Sequence, residues 1–149
     1  MSTDDDLDAT VRDLLLLMPR MVGRAKRLGV PAALESMELA PRHLSLLSFL
    51  LFDGPMTVTE LAARLEVAPT TVSLMIGDLS RKGVVERRED DADRRRRIVS
   101  ISPSSRPAIA AWLAPGAAAW RKALAPLSDA ERALFVATLR TYEEAFGDE

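Results

Sequence analysis

A chain of 149 residues with 48% hydrophobic and 28% charged content is about one domain long and holds enough apolar material for a buried core. Its lack of cysteine and its single histidine exclude disulfides, thiolate zinc sites and thiol redox sensing, so no metal site, cofactor or catalytic residue set is expected. The net charge of −2 argues against a uniformly basic nucleic-acid binder, but Arg81 to Arg97 carries eight Lys/Arg against five Asp/Glu, a local +3 on a chain that is −5 elsewhere.

Met1 to Asp6 is polar and acidic and is expected to fray. The absence of an eighteen-residue apolar run and of a cleavable signal pattern makes a cytoplasmic protein with no membrane partner the expectation. From Leu7, the spacing of Val11, Leu14, Leu15, Met18, Val22 and Ala25 predicts a helix, and Leu16, Leu17 and Met21 widen its apolar stripe beyond what one neighbour would cover. Pro19 should kink this helix. The surplus apolar surface suits either burial within the monomer or a contact with a second subunit.

Gly29-Val30-Pro31 breaks the pattern, and Ala32 to Ala40 is a connecting segment of unassigned conformation. Pro41 opens the next helix, with Leu44, Leu47, Leu50 and Leu51 as its stripe, and Asp53-Gly54-Pro55 stops it. His43 lies off that stripe, facing a pocket, an interface or water. Thr57-Val-Thr-Glu60 is a capping box that starts a short helix through Leu61, Ala62 and Leu65. Only Glu66, Val67 and Ala68 separate it from a further helix over Pro69 to Lys82, which is helix-turn-helix spacing. In that second helix Val72, Met75, Ile76 and Leu79 form a core stripe, while Thr70, Thr71, Ser73, Gly77, Asp78 and Arg81 fill the other face. Pro69 suits its first turn, and Gly83 its left-handed exit.

Val84 to Arg88 and Arg97 to Ser102 read as strands of a hairpin with a charged, mobile tip. A helix-turn-helix followed by such a hairpin is a winged helix, whose two projections fit adjacent grooves of a duplex. Beyond it, Arg106 to Leu113 and Ala117 to Leu124 are helical on either side of Pro115-Gly116, as one bent helix or two stacked pieces, with Trp112 and Trp120 on a shared face. Ser128-Asp-Ala-Glu131 is a second capping box, opening a terminal helix marked by Leu134, Phe135, Leu139, Tyr142 and Phe146. The fold class is therefore mainly α with a small β-hairpin wing, as one domain over 1–149. Within it, 41–102 is the winged helix-turn-helix, and 7–28 and 104–147 are dimerisation helices.

Over Val58 to Ser102 the sequence resembles the MarR family of winged-helix transcriptional regulators, and more weakly so over the whole chain. The family's wing pattern, Asp-x-Arg, five residues, then Leu-Thr, is matched by Asp93-Arg94-Arg95, Arg96 to Ser100 and Ile101-Ser102. The recognition helix departs from the family, with Leu74 and Gly77-Asp78 where Arg and an Asp-Arg pair are frequent. The resemblance implies a homodimer on a two-fold double-stranded DNA operator, and a repressor released by a small aromatic or phenolic effector. Thr70, Thr71, Ser73, Leu74, Arg81 and Arg87 are expected at the DNA, together with Asp93, Arg94, Arg95 and Arg96 of the wing. Arg95 is expected in a minor groove with its guanidinium held by Asp93. The effector would lie near Met18, Met21, Val22, His43, Leu47 and Trp112. Two alternatives are a winged helix used as a protein-interaction module and a DNA-binding factor without an effector.

Overall fold

The computed structural model describes residues 3–147, so Met1 and Ser2 of the acidic leader lie outside it. The chain forms two compact units, one up to Trp112 and one from Leu113 onward.

The first unit begins with helix α1 (Thr3–Arg27), which takes in Asp4, Asp5 and Asp6 as its first turn and Arg24, Lys26 and Arg27 at its end. The leader expected to fray is thus helical from Thr3, because carboxylates at a helix N-terminus and cations at its C-terminus both interact favourably with the macrodipole. α1 runs on through Pro19 as one element and buries none of its residues, leaving Leu14, Leu15, Leu16 and Met21 exposed. The unassigned connection contains a single turn, α2 (Ala32–Glu35), whose Leu34 is buried.

Helix α3 (Pro41–Asp53) turns Leu46, Leu47 and Leu50 into the core. The expected stripe is corrected in phase: Leu44 and Leu51 are only partly covered, Leu46 is fully buried, and His43 shares the buried face with 2% exposure. Strand β1 (Met56–Thr57) follows, then α4 (Val58–Leu65) and α5 (Pro69–Arg81). The Thr57 box forms as spelled: Thr57 Oγ1 accepts the Glu60 N–H at 3.2 Å, and Glu60 Oε2 accepts the Thr57 N–H at 3.3 Å. Between the helices Glu66 takes the left-handed conformation at φ 55° and donates its N–H to α4 carbonyls.

α5 buries Val72, Met75, Ile76 and Leu79. It ends where Gly83 adopts φ +74°, with Val84 N–H bonded to Leu79 O at 2.9 Å and Gly83 N–H to Ser80 O at 3.0 Å. That paired bonding satisfies the last carbonyls, and the fully buried Val84 and Leu79 pack beneath it. β2 (Val85–Glu89) and β3 (Arg97–Ile101) form the antiparallel wing from Val85 opposite Ile101 to Glu89 opposite Arg97. On the other side of β3, β1 pairs Met56 with Val99 and Thr57 with Ile98, giving a three-stranded sheet in the order β1-β3-β2. Val99 and Ile101 thereby join the core under α3, α4 and α5.

Helix α6 (Arg106–Leu124) is continuous through Pro115. Its first part belongs to the first unit, where Ile109 is buried and Trp112 packs at the edge of the core. In the second unit, α7 (Asp129–Ala145) starts at the Ser128 box, in which Ser128 Oγ accepts the Glu131 N–H at 3.2 Å and Glu131 Oε1 accepts the Ser128 N–H at 2.9 Å. That backbone bond holds the Glu131 carboxyl below its usual range. Arg132 donates to the carbonyls of Leu124 and Ala125 at 2.9 and 3.1 Å, and Trp120 lies 5.6 Å from Phe135, ring centre to ring centre. α7 buries no residue, and Leu134, Leu139 and Phe146 are exposed.

Candidate nucleic-acid interface

α5 is fixed to the core by its four apolar residues, which leaves Thr70, Thr71, Ser73 and Leu74 exposed on the opposite face. Leu74 is 76% exposed. The acidic residue on this helix, Asp78, is half-buried beside the cations Lys82, with Nζ at 3.2 Å, and Arg81, with a nitrogen at 3.7 Å, and beside the His43 imidazole, with Nε2 at 3.6 Å. Lys82 also reaches the Glu38 carbonyl at 3.5 Å, so the end of α5 is tied to the segment before α3. The negative charge of Asp78 is therefore largely answered before any ligand approaches.

His43 is part of that tie. Its Nδ1 accepts the Ala40 N–H at 2.9 Å, closing the first turn of α3, while Nε2 faces Asp78. Burial lowers its pKa below the usual 6.5, with Arg42 and Lys82 acting in the same direction and Asp78 against them.

The wing tip is organised by its acidic residues acting on backbone. Asp90 Oδ1 accepts the Ala92 N–H at 3.1 Å, Asp93 O accepts the Arg96 N–H at 3.0 Å, and Asp90 donates its own N–H to Arg96 O at 3.1 Å. Asp93 Oδ1 accepts the Arg95 N–H at 3.0 Å, a main-chain contact in place of the guanidinium contact expected from the sequence. A carboxylate two residues before an amide makes such a turn readily.

The four arginines of the tip then divide. Arg96 reaches Glu60 Oε1 at 3.0 Å, and Arg97 pairs with Glu89 at 3.6 Å. Among the described residues neither Arg94 nor Arg95 has an ion-pair partner, and both are exposed. Arg95, Arg96 and Arg97 line a cleft of about 440 Å³ whose other wall is Thr57 to Glu60, the first turn of α4. Ser80, Arg87 and Arg97 line a second cleft of about 480 Å³. Backbone N–H groups at a helix start, next to guanidinium groups, make a setting for phosphate oxygens. In the sequence Glu60 reads as a cap alone; its second oxygen, turned to Arg96, is the element that local spacing does not announce.

A third cleft, about 470 Å³, is mostly apolar and lined by residues including Val22, Lys26, Leu39, Leu44 and Trp112. Val22 and Trp112 are the two residues of the expected effector set that line it. Met18 and Met21 lie elsewhere on α1, and His43 and Leu47 are in the core. Lys26, Leu39 and Leu44 come to this cleft from α1, from the stretch before α3 and from α3, a convergence that only tertiary packing creates. Among the described residues no group of three acidic or histidine side chains is placed to hold a metal ion, and no helix is long and apolar enough to cross a membrane.

The profile of the MarR family matches residues 38–96, which run from the start of the helix-turn-helix scaffold into the wing. The HTH-type transcriptional repressor MdtR of Bacillus subtilis (strain 168) is 37% identical over 75 residues, or 48% of this chain and 47% of that protein. The chain thus matches about half the length of this relative. Among solved structures, the YusO protein from Bacillus subtilis superposes with a TM-score of 0.63 at 23% identity, covering 97% of this chain and 99% of that one. The S. aureus MepR–DNA complex gives a TM-score of 0.59 at 22% identity over 85% of this chain and 93% of its own. At such identities the two structures speak for the fold, which is the winged-helix arrangement described above.

Proposed function

We propose that this chain, whose residues 38–96 match the MarR family profile, is a sequence-specific DNA-binding transcriptional regulator, acting as a homodimer and repressing until a small aromatic or phenolic ligand releases it. The observation that carries this is the combination of an α5 face free of core duties with a wing whose Arg94 and Arg95 are unpaired among the described residues. α5 suits the major groove, with Thr70, Thr71 and Ser73 nearest the bases, and the wing arginines suit the phosphates and minor groove beside it. A relative of this chain is a repressor by name, and a structural neighbour was solved on DNA. The exposed apolar residues of α1 and α7 supply surface for the second subunit, and a dimer would present two such readers to a two-fold site.

The apolar cleft fits the ligand half of the proposal. Trp112 and aliphatic walls suit an aromatic ring, while Lys26 offers a cation to a phenolate or carboxylate. The decisive experiment is titration of the purified protein against duplex DNA from around its own gene and against a random duplex, over a range of salt. Preference for the first by about a thousandfold or more is expected, within the span by which specific DNA binding exceeds non-specific binding. Equal affinity for both would remove sequence-specific regulation, and failure to bind either would leave the wing as a surface for an acidic protein.

A further inference from the structure

We infer that Leu74 reads the 5-methyl group of a thymine in the major groove, and that this contact is a main source of base specificity in α5; the inference rests on the DNA-binding function proposed above. From Pro69 to Ser80 the chain has no Arg, Lys, Asn or Gln. The bidentate contacts that distinguish guanine or adenine by hydrogen bonding therefore have no donor on this stretch. Its one ionised side chain, Asp78, is taken up by Lys82, Arg81 and His43. What remains outward is a set of hydroxyls, Thr70, Thr71 and Ser73, which accept or donate to several bases alike, and one large apolar group.

That group is Leu74, at 76% the most exposed large hydrophobic side chain among the described residues. It points away from the side of α5 that carries Val72, Ile76 and Leu79, and among the described residues it is not part of the core or packed against it. An isolated exposed leucine is common on protein surfaces. Placed among the hydroxyls of a reading face, it has one base feature to match, because the thymine methyl is the apolar group that the major groove presents. Gly77, one turn on, adds no side chain between the helix and the duplex.

The test uses the full-length protein and duplexes it enriches from a random-sequence pool. Each thymine in one half-site is replaced in turn by deoxyuridine, which removes the methyl and leaves pairing intact. At one position the parent protein should lose about fourfold in affinity, equivalent to about 0.8 kcal/mol for one buried methyl group. The Leu74→Ala protein should bind the thymine and uracil forms of that position equally, with an unchanged melting temperature. Enrichment of a defined sequence with no uracil-sensitive position, or sensitivity that persists in Leu74→Ala, would overturn the inference while leaving DNA binding intact. If no sequence is enriched, both this inference and the regulatory function fall.

Discussion

At the residue scale, His43 shows how a small error in helical phase changes a chemical conclusion. Leucines occupy positions 44, 46, 47, 50 and 51, so α3 is apolar around most of its circumference and periodicity alone selects no single buried face. Packing selects the face with His43, Leu46, Leu47 and Leu50. Burial makes the imidazolium the costly form, and Arg42 and Lys82 add to that cost despite the opposing pull of Asp78. With its pKa lowered in the folded state, the unfolded chain binds more protons just below the usual value, so stability is full above about pH 6.5 and falls as pH drops below it. Chemical denaturation from about pH 7.5 to about pH 5.5, a window that brackets the ordinary histidine pKa, should show this loss in the parent. A flatter profile is expected in His43→Asn, which retains an acceptor but does not titrate. Arg95 gives a second prediction at this scale: Arg95→Ala should cost about 1–3 kcal/mol of DNA binding while leaving the melting temperature unchanged. A drop in stability on its removal would point to an internal role instead.

At the scale of elements, local chemistry is what the sequence makes legible. The Thr57 and Ser128 boxes, Pro69 at a helix start and Gly83 at a helix end each concern neighbours within a few residues, and each forms as its spacing implies. β1 is not legible: two residues have no periodicity, and Thr57 serves at once as strand end and helix cap. The Arg96–Glu60 contact is hidden for a related reason, since it joins residues 36 apart in sequence through the sheet. Gly83→Ala should destabilise by about 1–2 kcal/mol, measured by thermal or urea unfolding, because a Cβ there meets no neighbouring atom and the penalty is purely that of the left-handed backbone. Glu60→Gln should strengthen binding to any duplex at low salt, because it removes a carboxylate that competes with phosphate for Arg96 while keeping an oxygen for the Thr57 N–H. An affinity unchanged or reduced would mean that Arg96 does not approach DNA.

At the scale of the whole molecule, α1 and α7 carry the apolar side chains that their own units leave uncovered. Twenty-five residues of α1 without one buried is a large apolar element whose Leu14, Leu15 and Leu16 stay about half exposed. Its width is visible in the sequence, but whether the monomer covers it depends on packing that no local pattern encodes. Sedimentation equilibrium should report a dimer at micromolar concentration, and Leu15→Glu, which places a charge in that surface, should shift it toward monomer and weaken operator binding together. A monomeric parent would remove the two-fold operator from the account.

On the proposed function, the winged helix grips a duplex through Arg94 and Arg95, which have no ion-pair partner among the described residues. The most direct measurement is the salt dependence of DNA binding for the parent and for the Arg94→Ala/Arg95→Ala double variant, with melting temperatures checked in parallel. The double variant should bind more weakly by about tenfold or more at low salt, and its slope of log affinity against log salt should be shallower by about 0.9 for each phosphate the arginines no longer neutralise. Its melting temperature should equal the parent's. The same affinity and the same slope in both proteins would mean that the wing arginines do not hold the duplex.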